Sequence, residues 1–167
     1  MKTIMILRHA EAQRGGSAST DKKRKLTAKG RGDATKIGQF LDQQSIAAGY
    51  IESSTAKRAR ETTTLLAESA GLSLNINWND NFYSGGPADY HQAIRQAPDE
   101  VDNILLVGHN PLVSRLVSGL CSSEGQYLVR MLQGTLVCME HPAISWDQVE
   151  PGTARLQWMV TPEILNS

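Results

Sequence analysis

Several features that would assign this chain to a particular class of protein are scarce or missing. No apolar run approaches the roughly 20 residues that a membrane-spanning helix requires, and the apolar run at the N-terminus is too short for the core of a signal peptide. The two cysteines, Cys121 and Cys138, lack the spacing of metal-ligand pairs and are typical of buried, reduced thiols. The sequence therefore favours a cytoplasmic protein without a membrane span.

The chain also lacks a net charge, but its charges are unevenly distributed. Residues 1–60 contain 13 lysines and arginines against 5 acidic residues, whereas residues 61–167 contain 4 against 12. Clustered positive charge raises the local concentration of anions, so an anionic ligand is expected at the basic first third. The densest run, residues 22–25, has no aromatic residue on which a base could stack, which makes nucleic acid a poor candidate. A solvated loop is an equally good interpretation of this run.

The length of 167 residues predicts a single domain, 1–167, in which strands and helices alternate. The predicted strands are 3–7, 46–52, 74–78, 103–107, 136–140 and 154–160, the last two antiparallel. The predicted helices are 27–44, 56–70, 88–97 and one starting at residues 110–111, with loops over 10–25 and 79–87. Thr27, the segment 53–55 and Asn110 are the expected N-caps. This alternation predicts a three-layer α/β/α fold with a mainly parallel central sheet and an antiparallel C-terminal part.

Two of the predicted strands end in histidine, at Arg8–His9 and at His109. Ligands bind at the carboxyl ends of strands in open α/β sheets, so both imidazoles should emerge at one edge if the strands are central and parallel. Arg58, at the start of a helix that follows another strand, is expected there too. The planar fork of arginine binds two phosphate oxygens at once, and a neutral histidine can attack phosphorus. These residues predict a phosphate pocket.

The histidines do not show the pair spacing of metal ligands, so no metal site is expected. They are His9, His91, His109 and His141. Without a metal, arginine cations and a polarised histidine would have to offset the charge of a transferring phosphoryl group.

Five segments form an ordered set that covers nearly the whole chain. They are Leu7-Arg8-His9-Ala10, Asp21-x-x-Arg24-x-Leu26-Thr27-x-x-Gly30, residues 54–62, residues 107–113 and the ending 157–162. In this order they resemble the histidine phosphatase superfamily, which includes phosphoglycerate mutases, and most closely its small SixA-type phosphohistidine phosphatases. Two departures are visible: Ala10 stands where the superfamily has glycine, and Thr55 stands where it has proline.

The resemblance implies a role for each matching residue. By that resemblance His9 is the nucleophile that becomes phosphorylated, Arg8 and Arg58 bind the phosphoryl oxygens, and His109 hydrogen-bonds the same group. Water then attacks the phosphorylated His9, and no cofactor is required. Apart from the resemblance, Arg24 and its basic neighbours are expected to bind an acidic surface of the substrate, with a solvated loop as the alternative. The length leaves little room for the inserted cap of the mutases and sugar phosphatases, so one domain without a large cap insertion is expected.

The proton donor is the least defined part of the predicted site. Many superfamily members use an acidic residue after the third strand, and Asp80 is the nearest acid there, while Glu11 is the other nearby carboxylate. Both are more typical of solvated loop residues, because exposed carboxylates are the rule. Expelling an alkoxide from a phosphate ester needs a general acid, whereas expelling an imidazole from phosphohistidine needs less help.

The resemblance and the short chain together favour hydrolysis of N-phosphohistidine on a protein through a phospho-His9 intermediate. One alternative is a phosphatase of small phosphate esters. Another, of a different class, is a non-catalytic module that binds phosphopeptides. The expected partner is a phosphorylated protein or a small phosphate substrate, and neither nucleic acid nor a membrane.

Overall fold

A six-stranded sheet forms the centre of the computed structural model, which describes residues 1–72, 75–125 and 127–166. Its strands are β1 (Lys2–Arg8), β2 (Tyr50–Ser54), β3 (Ile76–Asn79), β4 (Asn103–Gly108), β5 (Leu136–His141) and β6 (Arg155–Val160). They lie in the order β3-β2-β4-β1-β5-β6. β1 to β4 are parallel, whereas β5 pairs antiparallel with β1 and β6 pairs antiparallel with β5. The predicted sheet is confirmed.

Helices cover both faces of this sheet. The helices of the described residues are α1 (Ala18–Asp21), α2 (Ala28–Gln43), α3 (Lys57–Ser69), α4 (Asn81–Ser84), α5 (Pro87–Arg95) and α6 (Leu112–Cys121), with 3₁₀ turns at Trp146–Gln148 and Ile164–Asn166. Side chains of β1 alternate between the faces: Ile4 and Ile6 pack towards α5 and α6, while Met5 and Leu7 pack towards α2 and α3. Burying each such side chain is worth about 1.5–3 kcal/mol. The three-layer α/β/α fold is confirmed.

The register of the parallel strands determines where the polar strand ends meet. Arg8 of β1 lies opposite Gly108 of β4, and Ser53 of β2 lies opposite Val107 on the other side of β4. The residues that follow these positions therefore emerge side by side at one edge of the sheet.

The loop after β1 is held against the start of α2. Thr27 is the N-cap, as predicted, and its hydroxyl accepts the Gly30 N–H at 3.0 Å. A Cβ at Gly30 would lie only 2.1 Å from the Glu11 carbonyl oxygen. Glycine is therefore required for the close approach of the helix to the loop that follows His9.

The predicted second strand, 46–52, is wrong in its boundaries. The backbone N–H of Gly49 bonds to the Asn103 carbonyl, and the regular strand starts only at Tyr50. It continues through Ser53 and Ser54, which are buried. These two serines extend the strand because their hydroxyls have partners inside the protein, so burial leaves no polar group unsatisfied.

Two predicted N-caps are also wrong. α3 has Ala56 at its N-cap, because the hydroxyls of Ser54 and Thr55 are engaged by His109 and Asp80 respectively. α6 has Pro111 at its N-cap rather than Asn110. The Asn110 side chain instead donates a hydrogen bond to the Met131 carbonyl.

The predicted loops 10–25 and 79–87 each contain a one-turn helix, α1 and α4. A single turn is too short to show apolar periodicity, which is why the pattern does not reveal it. The third strand begins at Ile76, and the predicted start at Leu74 lies outside the described residues. The remaining predicted elements are confirmed to within a few residues.

Two features are missing from the described residues. No helix in those ranges has the length and apolar character needed to cross a bilayer. Within the same ranges, no three side chains of the histidine, cysteine, aspartate and glutamate types are grouped as metal ligands.

Candidate active site

His9 follows β1 directly and is buried. Its Nδ1 lies 2.7 Å from the Ala10 carbonyl oxygen, which can only accept, so the ring proton is assigned to Nδ1. The lone pair is then on Nε2, which accepts a hydrogen bond from Arg58 Nε at 3.3 Å. Burial lowers the pKa of His9 well below that of an ordinary histidine, and His109 lowers it further. The ring is therefore neutral near pH 7, with its free lone pair on Nε2.

His109 faces His9, with 5.0 Å between the ring centroids. Its Nε2 lies 2.7 Å from the Ser54 hydroxyl, which already accepts the Ala56 N–H. Within the described residues the Ser54 hydroxyl proton has no acceptor besides Nε2, so it is assigned to that hydrogen bond and the proton of His109 is assigned to Nδ1. Burial and the Arg58 cation lower the pKa of His109 to about 3. His109 is a neutral hydrogen-bond donor.

Two buried donor atoms of the site are unpaired. His109 Nδ1 and Arg8 Nε have no hydrogen-bond partner anywhere in the described parts of the chain. A buried donor without a partner costs about 1–3 kcal/mol, and such groups in a cleft are typical of sites that bind a polar ligand. Both atoms are suited to oxygens of an anion.

Arg58 is buried in the first turn of α3 and is held by Asp21. Its Nη1 donates to the Asp21 carbonyl at 2.9 Å, and Nη2 lies 3.2 Å from Asp21 Oδ2. Tyr83 also donates its hydroxyl to Oδ2, at 3.1 Å, and its ring lies edge-on to His109. Sequence reasoning missed the orienting role of Asp21, although Asp21 opens one of the matching motifs. The sequence contains no comparable signal for Tyr83.

Arg8 is held from the opposite side by a segment near residue 131. Its Nη1 donates to the Met131 carbonyl at 2.9 Å, and the Asn110 amide donates to the same oxygen at 2.8 Å. Ser114 links this pair to α6 by donating to Asn110 Oδ1 and accepting the Met131 N–H. After burial, which is the main cause, the Arg8 cation is one of the smaller causes that lower the pKa values of His9 and His109.

Gly108 allows Tyr90 of α5 to approach the end of β4 closely. A Cβ at residue 108 would lie 2.0 Å from the hydroxyl oxygen of Tyr90. Tyr90 is buried and stacks on Phe82 of α4, so it has no room to retreat. The glycine is therefore needed for α5 to pack beneath the end of β4.

The structure does not bring three of the predicted side chains into contact with His9. Arg24 pairs with Asp21, with its Nε 2.8 Å from Oδ1, and donates Nη1 to the Gln13 carbonyl. Asp80 is exposed and accepts from Lys22 and Thr55, which lower its pKa. Glu11 accepts from the Thr27 hydroxyl at 2.8 Å. Thr55, which replaces the proline of the family motif, is thus one of the groups that hold Asp80.

Comparison with known proteins agrees with this geometry. The family model of the histidine phosphatase superfamily (branch 1) matches residues 4–81. An uncharacterised protein of Mycobacterium leprae is 30% identical over 141 residues, which cover 81% of this chain and 85% of the relative. This chain belongs to the histidine phosphatase superfamily. The matched segment includes Arg8, His9 and Arg58, whereas His109 lies beyond it.

Solved structures identify the branch of the superfamily. A protein from Nakamurella multipartitia assigned as the phosphohistidine phosphatase SixA has 27% identity and a TM-score of 0.81, with 96% of each chain covered. The protein histidine phosphatase SixA complexed with tungstate has a TM-score of 0.83 at 20% identity, over 98% of this chain and 99% of that one. This histidine phosphatase is a SixA-type member.

Proposed function

We propose that this SixA-type chain is a phosphohistidine phosphatase that acts on N-phosphohistidine of a protein through a phospho-His9 intermediate. Membership of the histidine phosphatase superfamily supports phosphatase activity. The observation that carries the narrower proposal is the pairing of Asp80 with Lys22 and Thr55. This pairing lowers the pKa of Asp80 and keeps its carboxylate ionised, so it has no proton to donate to a leaving group.

In the first step, Nε2 of His9 attacks phosphorus and the P–N bond of the substrate breaks. Nδ1 of His9 keeps its proton and shares it with the Ala10 carbonyl, which stabilises the phosphorylated ring. Arg8 and Arg58 neutralise the phosphoryl oxygens, and the His109 Nδ1–H donates to one of them. Preorganised donors of this kind stabilise the charge that develops in the transition state.

In the second step, water attacks phosphorus of phospho-His9 and the P–N bond to His9 breaks. The electron pair returns to Nε2, and inorganic phosphate carries the protons of the water. The same donors stabilise this transition state, because both steps pass through a phosphoryl group at one place. No part of the proposal requires a metal ion.

The leaving group explains why phosphohistidine is favoured over an ester. The second ring nitrogen of phosphohistidine can take a proton from water, so the imidazole departs as a neutral molecule. An alkoxide must receive a proton at the departing oxygen, and a positioned acid contributes about 10²–10⁴-fold to such a reaction. Asp21, the carboxylate nearest to Arg58, has a lowered pKa because of its bonds to Arg24 and Arg58, and it is also ionised.

The test is single-turnover phosphorylation of His9 by a phosphohistidine protein and by glycerate and sugar phosphates. We expect fast transfer from phosphohistidine and slow transfer from the esters. Asp80→Asn and Glu11→Gln should change transfer from phosphohistidine less than about threefold, since neither acts as the acid. Asp147→Asn, at an exposed acid outside the site, is the matched control.

Faster transfer from an ester, with a 10²–10⁴-fold loss in Asp80→Asn, would instead identify a phosphatase of small esters. Failure of every donor to phosphorylate His9, with retained binding of a phosphopeptide, would identify a binding module. Metal independence is tested by assaying in excess chelator, where full activity is expected. The cytoplasmic location stays a prediction from the sequence.

A further inference from the structure

A groove beside the candidate site is lined almost entirely by cations. It has a volume of about 390 Å³ and lies between the segment after α1 and the start of α3. Its lining residues, called the basic groove from here on, are Lys22, Lys23, Lys25, Thr55, Lys57 and Arg60. No acidic residue contributes to this lining, so the groove concentrates positive charge at one place on the surface.

The charges of the basic groove are only partly neutralised. Lys22 pairs with Asp80, and Lys57 lies 3.6 Å from Glu61. Arg60 stacks over the Trp78 ring at 4.1 Å, which orients the guanidinium but leaves its charge. Lys23 and Lys25 are exposed and have no ion pair with any residue that the structure describes. The groove therefore retains a positive potential after its own salt bridges are formed.

The basic groove is joined to the phosphoryl pocket by short contacts. The Lys57 N–H donates to the Lys22 carbonyl at 2.9 Å, and the next residue, Arg58, donates to the carbonyl of Asp21. The Lys22 ammonium lies 5.3 Å from the centroid of the Tyr83 ring, and the same ring lies edge-on to His109, with 5.9 Å between the two ring centroids. The groove and the two histidines thus keep one relative orientation.

We propose that the basic groove binds an acidic segment of the phosphoprotein next to the phosphohistidine, so that the enzyme selects protein substrates with flanking carboxylates. This inference rests on the proposed function and specifies its substrate. Charges at the rim of a binding site act mainly by steering association, and their effect decreases with ionic strength.

The composition of the groove favours carboxylates over nucleic acid. Four of its five cations are lysines, which act as point charges, whereas bidentate phosphate recognition favours arginine. Proteins that bind single strands also need aromatic faces on which bases stack. The Trp78 ring is covered by Arg60, and the Tyr83 ring lies near Lys22 and Arg58.

The experiment compares two synthetic peptides of equal length with one phosphohistidine, flanked by glutamates in one and by glutamines in the other. We expect wild type to hydrolyse the glutamate peptide with a kcat/KM about tenfold higher at low ionic strength. The preference should disappear near 1 M salt, where the Debye length is about 3 Å. Turnover of phosphoimidazole, which has no flanking residues, measures the chemistry alone.

Two double variants remove the same amount of charge at different places. Lys23→Gln/Lys25→Gln should reduce the preference for the glutamate peptide to about twofold and leave phosphoimidazole turnover unchanged. Arg115→Gln/Arg155→Gln, at exposed arginines outside the groove, should keep the full preference. Equal kcat/KM for both peptides in wild type, or equal losses in both variants, would overturn the proposal.

Binding of the unphosphorylated glutamate peptide, measured by fluorescence anisotropy, tests the groove independently of turnover. If esters are hydrolysed and neither phosphopeptide is, the proposed function fails. Peptide binding that weakens in Lys23→Gln/Lys25→Gln would in that case still support the binding of an acidic segment by the basic groove. Absence of binding contradicts the groove whatever the chemistry. Tighter binding of a single-stranded DNA oligonucleotide than of the glutamate peptide would also overturn the proposal.

Discussion

Arg58 donates its Nε–H to Nε2 of His9 across 3.3 Å, so the cation and the proposed nucleophile share one hydrogen bond. A phosphoryl group that bonds to Nε2 must take the place of this contact. The other two nitrogens of Arg58 stay anchored on Asp21, which keeps the guanidinium beside the site of reaction. The positive charge is therefore already positioned where negative charge develops.

His9→Ala is expected to abolish phosphoryl transfer, because it removes the atom that forms the P–N bond. Incubation with phosphohistidine protein followed by intact-mass measurement should show one added phosphoryl group in wild type and none in the variant. His91→Ala, at a histidine that lines a different cavity near α5, should still form the phosphoenzyme. Equal turnover in wild type and His9→Ala would exclude the covalent mechanism.

Arg58→Ala is expected to slow His9 phosphorylation by about 10²-fold, on the order of 3 kcal/mol, as for loss of an oxyanion donor. Arg58→Lys should recover only part of this rate, because an ammonium cannot contact His9 and Asp21 at the same time. Single-turnover rates measure both variants, with Arg115→Ala as the control. Full activity in Arg58→Lys would contradict a bidentate role.

The lowered pKa values of His9 and His109 predict how stability depends on pH. Below pH ~6.5 the unfolded chain protonates both histidines, while the folded protein does not until a much lower pH, about 3 for His109. The unfolded state then binds more protons, so the free energy of unfolding decreases as the pH falls. As the pH falls from 7 to 5.5, each histidine should lower the free energy of unfolding by about 1 kcal/mol.

Urea denaturation of wild type, His9→Gln and His109→Gln at these two pH values measures the decrease. Each variant lacks one of the two groups and should lose about 1 kcal/mol less than wild type. A decrease of the same size in all three proteins would show that neither histidine has a lowered pKa in the folded state.

Gly108→Ala is expected to destabilise the protein by about 1–3 kcal/mol, because the added methyl group overlaps the Tyr90 hydroxyl. It should also reduce activity, since His109 is the next residue. Gly119→Ala is the matched control: it lies within α6 and its Cβ meets nothing within 4 Å. Alanine there should stabilise by about 0.5–1 kcal/mol. Thermal unfolding of both variants measures the difference, and a stable Gly108→Ala would show that Tyr90 can retreat.

The sequence predicts the sheet and the positions of the histidines well, because buried strands of aliphatic residues leave a strong local pattern. It places His9 and His109 at one edge, since that follows from two parallel strands. The contacts of Asp21 and Met131 could not be predicted in the same way. They depend on how the one-turn helix α1 and the segment after α6 are placed against the strand ends, and neither has an apolar periodicity that predicts this placement.

Side-chain competition accounts for the errors at the helix starts. Ser54 and Asn110 have the residue types of good N-caps, but their polar groups bond to His109 and to Met131 instead. The position of Asp80 has the same origin, since Lys22 and Thr55 hold it at the surface. A local pattern cannot rank such partners, because they are distant in sequence.

The position of β4 beside β1 also determines when this site can form. Arg8 pairs with Gly108, and the other neighbour of β1 is β5, so both partners of the first strand are made late in synthesis. At the usual synthesis rate of about 5–20 residues per second, several seconds pass between the synthesis of β1 and that of its two neighbours. No fragment that ends before β4, including the segment 4–81, contains a complete pocket. Recovery of phosphoryl transfer during refolding is therefore expected only after β1 has paired with β4, one of the longest-range pairings in the chain. A nascent chain is expected to stay inactive until both neighbours of β1 have joined the sheet.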